Sequence, residues 1–187
     1  MTLLPLILLC ALLAAAVWHD LRARRIPNAV VLPGALLAIA LHALLPAGDG
    51  LFGTPMGGLG VLSALGGFAL GLAFLLPLYA LRMMGAGDVK MLAMVGAFVG
   101  AGQILAVTVV TLLAGAVLAL AVAGRQRRLR SLVGNTVHTA LHATLSGVHG
   151  AIPVPTAASG RLPYAVAIAT GALACVLWLR VFGELPL

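Results

Sequence analysis

The chain has 187 residues, of which 63% are hydrophobic and 8% charged, and it carries a formal net charge of +7. A soluble domain is roughly half apolar and about a quarter charged, so this composition excludes a water-facing surface over most of the molecule and places the chain in a membrane as one polytopic domain, residues 1–187. The positive charge falls almost entirely in short connections between apolar runs, which marks membrane topology and leaves no expectation of a nucleic-acid partner.

A helix needs about 20 apolar residues to cross a hydrocarbon core about 30 Å thick. In chain order the apolar runs place spans over residues 3–18, 29–46 and 58–81. The first begins without a basic residue at Met1-Thr2, unlike a secretory leader, and is read as a retained span. Residues 91–123 then carry no formal charge, and as a single helix would measure about 50 Å. Gly100-Ala101-Gly102-Gln103 offers a break, giving spans over 88–100 and 103–123, and the last span covers 164–182. Gly67 with Gly71, and Gly96 with Gly100, form small-residue faces suited to close helix packing.

Between Ser131 and Gly150, Val133, Val137, Leu141, Leu145 and Val148 recur at helical spacing, with Asn135, His138, His142 and His149 toward the other side. This predicts an amphipathic helix on the membrane interface. His138 and His142 have the spacing of a zinc-protease helix, but Thr139-Ala140-Leu141 between them lacks the glutamate that chemistry needs, so no metal is assigned. Cys10 and Cys175 are far apart in apolar runs and read as small buried hydrophobes. The expected fold is an all-α integral membrane protein, a six-transmembrane-helix bundle with an amphipathic cytoplasmic interfacial segment.

Arg22, Arg24, Arg25, Arg82, Lys90, Arg125, Arg127, Arg128, Arg130 and Arg161 occupy alternate connections, with Arg180 the exception. The positive-inside rule makes those connections cytoplasmic and both termini periplasmic. Only four acidic residues exist: Asp20, Asp49, Asp88 and Glu184. On this topology Asp20 and Asp88 share the cytoplasmic side, each at the end of a span. Two carboxylates in close approach do not both ionise readily, so one keeps a proton while the other activates water. The residues alone also allow a plainer account, in which Asp20 pairs with Arg24 and Asp88 caps a helix or pairs with Lys90 or Arg82.

Three segments add to this. Asp20-Leu21-Arg22-Ala23-Arg24-Arg25-Ile26-Pro27-Asn28 resembles the first-loop signature of type IV prepilin peptidases. Gly85-Ala86-Gly87-Asp88-Val89-Lys90 resembles the GxGD motif of the same aspartyl proteases, and Arg161-Leu162-Pro163-Tyr164-Ala165-Val166-Ala167-Ile168-Ala169 resembles the start of their last helix. The resemblance implies an inner-membrane aspartic endopeptidase that cleaves the leader from a prepilin at the cytoplasmic face, with Asp20 and Asp88 catalytic. It implies support of the active site by Gly85, Gly87, Lys90, Pro27 and Asn28, and leaves Arg22, Arg24 and Arg25 to contact substrate or lipid headgroups. Gly85 and Gly87, lacking Cβ atoms, would let backbone or substrate approach Asp88, and Asn28 would satisfy free backbone groups near Pro27. No cysteine-rich insert separates the first two spans, so the chain resembles the short branch of Flp/Tad-type pilus assembly, without methyltransferase activity and without a cofactor. A preflagellin-type peptidase, or a non-enzymatic component of a pilus or secretion complex, is the alternative.

Overall fold

The computed structural model describes residues 3–81, 84–125 and 164–183. Among them are six helices and no strands: α1 (Leu4–Ala23), α2 (Asn28–Leu44), α3 (Val61–Ala80), α4 (Ala86–Val99), α5 (Ile104–Arg125) and α6 (Tyr164–Phe182). The segment 131–150, with His138, His142 and His149, lies outside the described residues, as does Arg82. The chain divides into two compact units, residues 1–115 with 163–187, and residues 116–162. Of the second, only the C-terminal part of α5 is described. The first holds both Asp20 and Asp88.

Four helices, α1, α3, α5 and α6, are long and apolar enough to cross a membrane, with mean hydropathy between 2.0 and 2.6. The protein is therefore a helical membrane protein. Helix α2 is apolar but shorter, at 17 residues. Helix α4 has only 14 residues, about 21 Å of helix, which is less than the hydrocarbon thickness. Its position explains that. Every residue from Met91 to Val99 is buried, and α4 packs against α3 above all, then α2 and α6, and touches α1. A helix wrapped by others need not present a full-length apolar face to lipid.

Local chemistry sets the helix ends. Pro5 sits in the first turn of α1, where its missing N–H has no partner to lose. At the other end Arg24 adopts a left-handed conformation, φ 52° and ψ 32°, and its N–H donates to the Asp20 carbonyl at 2.8 Å. Pro27 then holds an extended conformation ahead of α2, redirecting the chain. The uncharged run is interrupted at Gly100, whose φ of 83° suits glycine, and α5 starts at Ile104.

The α3–α4 contact is made by glycine. A Cβ on Gly67 would collide with the Gly96 carbonyl, and one on Gly71 would meet the Leu92 carbonyl at 2.8 Å. In lipid there is little hydrophobic drive between helices, so such close backbone approach supplies the packing energy. At the far end of α4 from Asp88, the buried His42 of α2 joins three elements. Its Nδ1 accepts the Leu59 N–H at 3.0 Å, and Nε2 lies 3.2 Å from the Phe98 carbonyl, to which it donates. Leu51 and Phe52 in the connection before α3 are buried against the same core.

Candidate active site

Asp20 is placed by the helix that carries it. The buried residues of α1 are Pro5, Leu9, Leu13, Ala16 and Asp20, spaced three or four apart along one face. Asp20 is the last member of the stripe that packs into the bundle, and it is 9% exposed. Its Oδ2 is buried and has no hydrogen-bond partner among the described residues. An unpaired buried carboxylate oxygen is costly, and such groups concentrate where chemistry is done.

Asp88 lies in the first turn of α4, half-buried. Gly85 is the residue before the helix, and its N–H donates to Asp88 Oδ2 at 3.3 Å. This is the reach-back of a third-position carboxylate to the helix cap, at the positive end of the helix dipole. A Cβ on Gly85 would stand 3.2 Å from Asp88 Oδ2, so the missing side chain leaves room for the carboxylate. The helices that carry the two carboxyl groups, α1 and α4, are in contact.

The other residues singled out by sequence cluster at this end. Gly87 faces Ile26: a Cβ there would lie 3.1 Å from Ile26 Cβ. What Gly87 admits is the connection between α1 and α2, with Pro27 its next residue. Asn28 differs from expectation. No side chain caps α2, and Asn28 Oδ1 instead accepts a hydrogen bond from Lys90 Nζ at 3.0 Å. Lys90 is thus directed to Asn28, joining the starts of α2 and α4. Arg22 is exposed and lies over the Trp18 ring, 5.9 Å from its centroid, a cation–π contact. Arg24 and Arg25 are exposed at the turn.

Two contributors had no signal in the pattern of apolar residues. Ile26 is one, closing over Gly87. Tyr164 is the other: it opens α6, and its ring stands against Gly115 of α5, where a Cβ would lie 2.5 Å from the hydroxyl. Its place in the Arg161–Ala169 motif marked it as part of a helix start, but not as the residue that meets Gly115.

The type IV leader peptidase family matches residues 7–120, more than half of the sequence. The match spans both aspartates and the first five helices up to Leu120. The chain belongs to the type IV leader peptidase family. No curated protein and no solved structure matches it. Membership of the leader peptidase family brings a peptidase-type activity and a prepilin-type substrate, and the apolar helices place that activity in a membrane.

Proposed function

We propose that the chain is an intramembrane aspartyl endopeptidase that removes the leader of Flp/Tad-type prepilins at the cytoplasmic face of the inner membrane, with Asp20 and Asp88 as the catalytic pair. The observation that carries this reading is the buried Asp20 Oδ2, without a hydrogen-bond partner among the described residues, on a helix in contact with the one that carries Asp88. One carboxyl of the pair holds a proton and polarises the scissile carbonyl, while the ionised one takes a proton from the attacking water. Their protons belong to the pair rather than to either residue. The first turn of α4 and the Gly85 N–H orient Asp88, and the Lys90–Asn28 hydrogen bond ties the starts of α2 and α4.

The substrate is a prepilin whose charged leader precedes an apolar helix. Its backbone hydrogen bonds must open before a peptide bond reaches the aspartates, and a glycine at the junction eases that opening. Six membrane spans with the basic connections inside put the aspartates on the side where the leader lies. Arg22, Arg24 and Arg25 serve the substrate or anionic headgroups at that interface. The chain acts as a peptidase alone, without methyl transfer.

The test is co-expression with a Flp-type prepilin and measurement of leader removal. Asp20→Asn and Asp88→Asn should each abolish cleavage while the protein stays in the membrane. Undiminished cleavage in both variants would sink the aspartyl mechanism.

A further inference from the structure

The connection between α1 and α2 is short, residues 24–27, and its backbone is set at both ends. Arg24 closes α1 in a left-handed conformation, its N–H on the Asp20 carbonyl at 2.8 Å, and Pro27 holds the extended backbone from which α2 starts. Between them, Ile26 is partly buried and packs against the hydrophobic core. It also meets the first turn of α4. A Cβ on Gly87 would stand 3.1 Å from Ile26 Cβ and 3.5 Å from both Cγ1 and the backbone nitrogen. Gly87 sits inside α4 without a positive φ, so its missing side chain serves space rather than backbone conformation. One residue past the connection, Asn28 Oδ1 accepts a hydrogen bond from Lys90 Nζ at 3.0 Å. The two contacts fall on α4 at positions 87 and 90, on either side of Asp88.

No hydrogen bond among the described residues joins the two carboxyls: Asp20 Oδ2 has no partner, and Asp88 Oδ2 accepts from the Gly85 N–H of its own turn. Their spacing is therefore set by how the ends of α1 and α4 are held. The shortest tie runs from the Asp20 carbonyl to the Arg24 N–H, along the connection to Ile26, and across to Gly87. A β-branched side chain is stiff at χ1, so Ile26 passes a displacement on rather than absorbing it. Resting on the aspartyl reading above, we infer that Ile26 and Asn28 are positioning residues: they clasp the α1–α2 connection to α4 on both sides of Asp88, and the connection acts as the spacer between the carboxyls. Neither touches the reacting atoms. Ile26 docks by shape and Asn28 by a hydrogen bond, so either contact holds the connection when the other is lost. The charged groups on these segments are Asp20 and Arg22 of α1, Arg24 and Arg25 of the connection, and Lys90 of α4, while α3 and α6, packed against α4, carry Tyr79 and Tyr164. Ile26 and Asn28 have no charge of their own, so losing them acts on the carboxyls through distance.

The experiment is steady-state cleavage of a prepilin substrate by the full-length protein across pH. It compares wild type with Ile26→Val, Ile26→Ala, Asn28→Ala and the double variant Ile26→Ala/Asn28→Ala. Ile26→Val keeps the branch at Cβ and should stay within about twofold of wild type. Ile26→Ala should lower kcat about tenfold and Asn28→Ala a few-fold, each with KM within about twofold. With both contacts gone, kcat should fall about 100-fold, more than the product of the single losses, because each was covering for the other. As the carboxyls part they share a proton less strongly, so the basic limb of the double variant's kcat profile should move to lower pH. Ile26→Ala alone should move it the same way, which keeps the test open if the double variant fails to fold. His42→Ala, which loosens the opposite end of α4, should lower thermal stability and leave the limb in place. A wild-type pH profile in Ile26→Ala and the double variant would overturn the inference. So would the same shifted limb in His42→Ala, which would make general loosening the cause, or a loss in Ile26→Val equal to that in Ile26→Ala. Asp20→Asn and Asp88→Asn belong in the same assay. If they are inactive and the clasp variants keep the wild-type profile, only the clasp falls; if they remain active, the aspartyl reading falls with it.

Discussion

At the residue scale, the aspartates differ in how they are held. Asp20 ends a buried stripe and offers an oxygen with no partner among the described residues, whereas Asp88 is anchored by the Gly85 N–H. The Lys90–Asn28 hydrogen bond is the nearest polar tie between α2 and α4. Because that bond is exposed, Lys90→Met or Asn28→Ala should cost about 1 kcal/mol or less and slow cleavage a few-fold. The double variant should be no worse than either single one, the mark of a shared interaction in a double-mutant cycle. His42 gives the opposite pattern. His42→Ala leaves the Leu59 N–H and the Phe98 carbonyl without their partner and should destabilise the fold by about 2 kcal/mol or more, read by thermal unfolding in detergent. Phe98 is about 15 Å along α4 from Asp88, so the pH profile of the surviving enzyme should be unchanged.

At the element scale, α4 is the axis on which the site depends, and its seam with α3 is made of backbone. Gly67→Ala forces a Cβ onto the Gly96 carbonyl, which cannot yield as a flexible side chain can. It should lower stability by about 1–3 kcal/mol and reduce cleavage with it. Gly102→Ala is the matched control, since a Cβ there meets nothing within 4 Å, and both readings should stay near wild type. Gly87→Ala is a subtler case: its Cβ meets Ile26 at 3.1 Å, so the α1–α2 connection must shift by a few tenths of an ångström. Cleavage should fall more than stability, because the displacement lies one residue from Asp88. Comparing the loss of kcat with the change in thermal midpoint checks this.

At the scale of the whole molecule, charge decides orientation. Reporter fusions after residue 57 and after residue 130 should report opposite sides of the membrane, the second cytoplasmic, because the basic residues fall in alternate connections. The membrane class was legible in composition, since so few charges exclude a watery surface, and the all-helical build in the length of the apolar runs. The two aspartates stood out because acids are so scarce, and the segments around them carried the family resemblance. Which face of each helix turns inward was not legible. Exposed Ile7, Leu36, Leu62 and Leu113 are as apolar as buried Leu9, Leu75 and Leu92, so hydrophobic periodicity has no contrast to report. By itself, then, the sequence determined that this is a helical membrane protein of the leader peptidase family with two acids at helix ends. Only the tertiary structure decided that the helices carrying Asp20 and Asp88 meet, and that Lys90 turns to Asn28. The physical reason is that helix faces in lipid are selected by glycine contacts and polar ties between helices distant in sequence, and those exist only once the bundle has formed.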